Sequence, residues 1–192
     1  VNSGRPLDLS WEDENIPTIV QAWQLGSRSG EAIAKVLYGD YNPSGKLTMS
    51  FPRNVGQVPI YYNFKNTGRP STSIEQVTNS GYADVENSAL YPFGHGLSYT
   101  KFSYTDVLLD KTELTLKSKI TLSFKIKNIG TVKGTEIAQM YIRDVVGSIA
   151  RPMRELKGFK VVELNPGESK VVNFEINAKL LEFYSYNNKW EA

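Results

Sequence analysis

The sequence predicts an α/β segment followed by an all-β sandwich, and three features carry that expectation. A short apolar run, an amphipathic helical stretch and a second short run follow one another within residues 1–52. From Tyr99 onward, apolar and polar residues alternate with period 2. Between these parts lies a stretch rich in Gly, Pro, Asn, Ser and Thr that has no period. The expected division is residues 1–52, an ordered connector at 53–98, and a sandwich at 99–192.

In the first part, Thr18–Trp23 is a mostly apolar run of strand length, preceded by Pro17 and followed by Gly26. Ser29 to Tyr38 places Ile33, Val36 and Leu37 on one helical face, with Glu31 and Lys35 spaced i,i+4. Gly39 ends that helix where a left-handed residue is wanted. Asn42-Pro43-Ser44-Gly45 reads as a turn, and Lys46 to Phe51 is a second strand stopped by Pro52. Strand, helix, strand make a βαβ fragment. Val1-Asn2-Ser3-Gly4 reads as the tail of a further strand. Fifty such residues would bury only about 60% of their unfolded surface. A parallel sheet needs both faces covered, so this fragment is expected to complete a larger sheet. Left alone, its unpaired edges favour self-association, or poor ordering of the first fifty residues.

The connector carries Asn66-Thr67-Gly68-Arg69-Pro70-Ser71-Thr72-Ser73, its most loop-like part. Tyr61, Tyr62, Phe64, Tyr82, Tyr91 and Phe93 argue that it packs on something rather than floating. In the third part Ile120, Leu122, Phe124 and Ile126 alternate with Thr121, Ser123, Lys125 and Lys127. Ala138, Met140 and Ile142 repeat the pattern, as do Val172, Phe174 and Ile176. Turns fall at Asn128-Ile129-Gly130 and Asn165-Pro166-Gly167, and weaker strands fit Phe102 to Leu109 and Leu156 to Leu164. Six or seven short strands without a helical pattern match an immunoglobulin-like or fibronectin type III sandwich.

Composition narrows the function. The chain has 192 residues, a formal net charge of +2 and no basic run, which argues against a nucleic-acid or membrane surface. No cysteine is present, so disulfides, thiolate metal sites and cysteine nucleophiles are excluded. A single histidine, His95, makes a histidine zinc site improbable, and no metal or organic cofactor is expected. No run of 18 apolar residues spans a bilayer.

Two motif runs carry more than composition does: Gly39-Asp40-Tyr41-Asn42-Pro43-Ser44-Gly45-Lys46-Leu47 and Tyr91-Pro92-Phe93-Gly94-His95-Gly96-Leu97-Ser98-Tyr99. With Asn2 to Leu7, Ala22 to Gly26, Val132 to Tyr141 and Arg151 to Phe159, they form an ordered set covering nearly the whole chain. That set resembles the C-terminal part of family 3 glycoside hydrolases, in particular their periplasmic β-glucosidase branch. The resemblance implies the end of an α/β sandwich domain, a connector and a fibronectin type III-like domain. It also implies a retaining mechanism that uses two carboxylates about 5 Å apart. In the family one of these lies on a barrel-like first domain, and the other precedes the Asn-Ser-Gly-Arg-Pro motif. Both would therefore lie upstream of Val1, and no catalytic residue is assigned within the chain.

The remaining candidates have ordinary readings. Glu31 follows Gly30 in an echo of the family's acid/base motif, but it reads as a first-turn helix glutamate favoured by the dipole. Glu12-Asp13-Glu14 reads as a solvated acidic segment with nothing nearby to hold it, and Asp40 as a turn residue bonding backbone N–H groups. His95 reads as a packed connector histidine, Trp23 as core, and Trp190 as closing the sandwich. Asn66 and Arg69 are the candidate substrate-binding residues, at the rim of an active site, since a guanidinium makes fork-like hydrogen bonds to oxygen-rich ligands.

The expected function is thus the supporting C-terminal portion of a β-glucosidase-like enzyme acting on terminal β-linked glucose. The partners implied are the barrel and sandwich regions of the parent and its glucoside or oligosaccharide substrate. The location implied is periplasmic or secreted. The alternative is a non-catalytic carbohydrate-binding or adhesive sandwich, which would show a row of exposed aromatics on one face.

Overall fold

The computed structural model describes residues 1–70 and 80–192, in two compact units. The first takes Val1–Tyr41 and Gly45–Leu97; the second takes Asn42–Ser44 and Ser98–Ala192.

In the first unit, α1 spans Ser10–Asn15 and α2 spans Ser29–Leu37. Helix α1 falls in the acidic segment expected to be solvated. Asp8 Oδ1 accepts the Ser10 N–H at 3.0 Å, and Glu12 and Asp13 occupy the first turn, where the helix dipole favours negative charge. Helix α2 forms where its periodicity places it. Gly39 terminates it at φ 83°, a left-handed value that costs glycine little. Of the anticipated apolar face, Ile33 and Val36 are half-buried, whereas Leu37 remains 62% exposed.

The two expected strands of this unit depart from a βαβ ladder. Thr18–Trp23 is extended, and its only backbone partner among the described residues is Val1. The Val1 nitrogen donates to Val20 O at 2.8 Å and Ala22 N donates to Val1 O at 2.9 Å, bracketing Gln21 as in a parallel pair. Trp23 then breaks the extended run with φ 53°, an uncommon value for a bulky residue. Lys46–Phe51 bonds instead to the end of the connector. Leu47 N donates to His95 O at 2.7 Å, Gly94 N to Leu47 O at 2.7 Å, and Phe51 N to Tyr91 O at 2.8 Å. Phe51 and Tyr91 form an isolated antiparallel bridge. Thus the two motif runs that dominate the sequence lie against each other.

Aromatic packing consolidates this pairing. Phe51 is 1% exposed and packs against Trp23 with ring centroids 5.8 Å apart, while Tyr62 stacks on Phe93 at 4.1 Å. Gln57, at the end of the 3-10 turn Val55–Gln57, is also fully buried. Its Oε1 accepts Arg53 N at 2.6 Å and its Nε2 donates to Glu86 O at 2.7 Å, so the buried amide is satisfied at both ends. The Ser71–Ser73 part of the expected loop lies outside the described residues.

The second unit is the fibronectin type III-like sandwich. Strands β1 (Phe102–Leu109), β2 (Lys119–Asn128) and β5 (Ser169–Asn177) form one antiparallel sheet in the order β1-β2-β5. Strands β3 (Gly134–Ile142) and β4 (Glu155–Leu164) form the other. Helix α3 (Ala178–Leu181) and the short strands β6 (Phe183–Tyr184) and β7 (Trp190–Glu191) complete the unit.

The core follows the alternation. Phe124, Ile126, Val172 and Phe174 from the first sheet meet Ala138, Met140, Val162 and Leu164 from the second. Burial of each larger side chain stabilises the fold by about 1.5–3 kcal/mol. The turn Asn165-Pro166-Gly167 is closed by Glu168 N donating to Asn165 O at 3.0 Å, with Gly167 at φ 77°. Trp190 departs from its expected role: it pairs with Tyr184 across the β6–β7 ribbon and is 67% exposed, because its position in β7 turns it away from the core.

Candidate functional site

A polar cluster of the first unit gathers where the two motif runs meet. Tyr91 donates its phenolic proton to Asp13 Oδ1 on α1, and its ring stacks on His95 with centroids 5.3 Å apart. Lys46 Nζ donates to Gly96 O at 2.8 Å, and His95 N donates to Pro92 O at 3.0 Å. Burial, reinforced by Asp13, pushes the Tyr91 phenol up to about 12. Burial and the neighbouring Lys46 ammonium lower the His95 pKa, with Asp13 acting in the opposite sense.

These shifts describe a neutral tyrosine and a neutral histidine fixed between an anion and a cation. The contacts hold this segment in place: Asp13 accepts the Tyr91 hydroxyl, and Lys46 bonds Gly96 O. Asp13, expected to be solvated with nothing nearby to hold it, is held by Tyr91 from 78 residues away. The one local sign was Asp8 two residues before Ser10 and an acidic turn, which marks a helix start.

Glu31 is fixed as its helical spacing implies. It accepts from Lys35 at 2.7 Å and from Arg28 Nε at 2.9 Å, and both bonds hold its pKa below the ordinary carboxylate value. A general acid needs the opposite shift. Asp40 is exposed, and the hydrogen-bonding residue of that turn is Asn42. Asn42 Oδ1 accepts Tyr99 N at 2.8 Å, and its Nδ2 donates to Lys133 O at 2.9 Å.

The candidate rim residues Asn66 and Arg69 are both exposed. The backbone beside them is fixed: Ser80 N donates to Arg69 O at 2.8 Å, and Pro70 bridges Ser80 in parallel. Among the described residues, no group of three His, Asp or Glu is placed to hold a metal ion. No helix among them is long and apolar enough to cross a membrane.

The class these residues define is an α/β segment followed in the chain by a fibronectin type III-like sandwich. The family model described as the Glycosyl hydrolase family 3 C-terminal domain matches residues 1–99, and the Fibronectin type III-like domain matches residues 136–192. The chain belongs to glycoside hydrolase family 3.

It is 46% identical over 191 residues to the periplasmic beta-glucosidase of Salmonella typhimurium, covering 99% of this chain and 25% of that protein. It is 44% identical to a beta-xylosidase of Formosa agariphila, covering 91% of this chain and 23% of that protein. The solved beta-glucosidase of Listeria innocua in complex with glucose superimposes with a TM-score of 0.92 at 40% identity, over 98% of this chain and 26% of that one. The chain thus spans about a quarter of the length of the relatives it matches.

Proposed function

We propose that this chain is the supporting C-terminal portion of a retaining β-glucosidase-like hydrolase that removes terminal β-linked glucose from short glycans. Residues 1–52 contribute to its α/β sandwich domain, 53–98 connect, and 99–192 buttress. The two reactive carboxylates, about 5 Å apart in a retaining site, belong to other parts of the polypeptide. Asn66 and Arg69 contribute hydrogen bonds at the rim of that site. The enzyme works in the periplasm or outside the cell, as the name of the Salmonella relative suggests.

The observation that carries this reading is the 46% identity to a named beta-glucosidase along 99% of the chain. The ion-paired, acid-shifted Glu31 supports it, because the one glutamate that echoes a catalytic motif is tuned against donating a proton. Relatives named beta-xylosidase make the pentoside the competing substrate.

Two assays test the reading. The purified chain should leave a chromogenic β-glucoside intact, and turnover abolished by Glu31→Gln would place the chemistry inside it. The polypeptide extended upstream through the barrel region should hydrolyse the glucoside faster than the xyloside, with the β-anomer of glucose released first by NMR. Release of the α-anomer first, or preference for the xyloside, would reject the proposed mechanism or the proposed sugar.

A further inference from the structure

The alternation that builds the core also dictates what the first sheet displays on its other side. Phe124, Ile126, Val172 and Phe174 face inward, so the odd-numbered neighbours of β2 and β5 face out. Register then sets the outer rows: Ser103–Lys127–Ser169, Thr105–Lys125–Val171, and Leu108–Ser123–Asn173. Ile129 N donates to Lys101 O at 2.8 Å, which extends the β1–β2 pairing by one residue and puts Lys101 on the same face. Lys125 and Lys127 are i,i+2 neighbours, about 7 Å apart along the strand. Lys101 lies diagonally from Lys127, also about 7–8 Å away.

These lysines differ from five others in the chain. Lys35, Lys119, Lys133, Lys157 and Lys170 are each ion-paired with a glutamate. Lys101, Lys125 and Lys127 are exposed and have no ion pair among the described residues. Glu175, opposite Thr121, is held by Lys119 at 2.5 Å, and Asp106, in the β1 bulge, accepts from Thr105 Oγ1 at 3.3 Å. Three cations without an ion pair among the described residues thus share one face, flanked by the hydroxyls of Ser103, Thr105 and Ser169.

We propose that this outer face of β1-β2-β5 docks a linear, carboxylate-bearing polysaccharide, with Lys101, Lys125 and Lys127 meeting successive anionic groups. Charge complementarity selects the sign of the ligand, and three cations spaced along two strands, each about 7 Å from the next, select an extended polymer over a single small anion. The flanking hydroxyls suit sugar hydroxyls. No aromatic side chain occurs in these rows, so the face offers no stacking platform for nucleic-acid bases or for the rings of an uncharged glucan. The inference goes beyond the hydrolytic reading and does not depend on it, since it is read by binding alone.

The test passes the purified chain over immobilised polygalacturonate, immobilised neutral β-glucan and immobilised polyglutamate. Retention is expected on polygalacturonate and should be lost at about 0.5 M salt, where charges more than about 5 Å apart are screened. The triple variant Lys101→Gln, Lys125→Gln, Lys127→Gln should bind roughly tenfold more weakly or worse, with an unchanged circular dichroism spectrum. The control triple Lys35→Gln, Lys133→Gln, Lys157→Gln changes net charge equally and should bind as the parent does. Equal loss in both triples would reduce the effect to net charge and overturn the proposal. So would absence of retention, equal retention on the neutral glucan, or stronger retention on polyglutamate, which would assign the face to an acidic polypeptide.

Discussion

The hydroxyl of Thr100 donates to Asn128 Oδ1 at 2.6 Å, and both residues are buried. Asn128 is fully enclosed at the end of β2, and every polar site on its amide is used. Its Oδ1 also accepts Gly130 N at 3.0 Å, and its Nδ2 donates to Val132 O at 2.8 Å and Leu164 O at 3.1 Å. One side chain therefore ties the start of β1, the β2–β3 turn and the end of β4.

Replacing Asn128 by Ala would strand a buried hydroxyl, an N–H and two carbonyls. The expected cost is about 3–5 kcal/mol of sandwich stability, because each unsatisfied buried group costs roughly 1–3 kcal/mol and part of the site can admit water. Thr100→Val removes one donor and keeps the shape, and should cost about 1–2 kcal/mol. Urea denaturation followed by far-ultraviolet circular dichroism measures both. An Asn128→Ala midpoint within error of the parent would mean the network is redundant.

Tyr91 should be among the last tyrosines to ionise. Its phenol sits at about 12 against an ordinary value near 10, raised by burial first and then by Asp13. Because the folded value lies above the unfolded one, the stabilisation is complete below pH 10 and is lost as pH rises from about 10 to about 12. Tyr104 is raised further, by burial and the Glu136 carboxylate. A spectrophotometric titration of tyrosinate should show a delayed fraction that shrinks in Tyr91→Phe. That variant should also lose roughly 1 kcal/mol, the modest worth of a partly screened bond to a carboxylate. An undelayed titration would reject the Asp13 contact.

What was legible depended on range. The sandwich strands were readable because alternation is local: each of β1 to β5 lies where its apolar period places it. Helix α2 and its Gly39 stop were legible for the same reason. The partners of Lys46–Phe51, of Asp13 and of Asn42 were not. Pairings between residues 43, 78 and 91 positions apart leave no periodic trace. Asp40 and Asn42 both suit a turn, but only the Asn42 amide has a donor as well as an acceptor to span Tyr99 N and Lys133 O. The alternation places Lys125 and Lys127 on the polar face of one strand, but only the β1–β2 register brings Lys101 beside them. Asn66 and Arg69 were chosen on side-chain chemistry, which cannot say what they face.

His95, the chain's only histidine, gives a clean titration. Burial and then Lys46 depress its folded pKa below 6.5, so its neutral form is the one the fold favours. Stability from this group is therefore complete above about pH 6.5 and declines as pH falls toward the folded pKa. NMR of the imidazole protons should show a midpoint below 6.5 in the parent chain. In Lys46→Met the midpoint should move up, since one of the two depressing influences is gone while Asp13 remains. A midpoint unchanged by that substitution would leave burial as the whole cause.

The contact between the two motif runs makes a final prediction sharper than any charge. A Cβ on Gly96 would lie 2.2 Å from Gly45 O, a backbone atom that cannot swing aside. Gly96→Ala must therefore part the strap formed by Leu47, Gly94 and His95, whose two backbone bonds are both 2.7 Å long. At Gly26 a Cβ would meet nothing within 4 Å, so Gly26→Ala serves as the matched control. The Gly96 variant should lose about 2–4 kcal/mol of stability in the first unit, in line with other steric insertions into packed sites. The Gly26 variant should stay within about 0.5 kcal/mol of the parent. Hydrogen exchange at the Leu47 and Gly94 amides reads the difference residue by residue. Equal protection of those amides in the two variants would mean the strap tolerates a side chain at position 96, and the close approach of the motif runs would have to be abandoned.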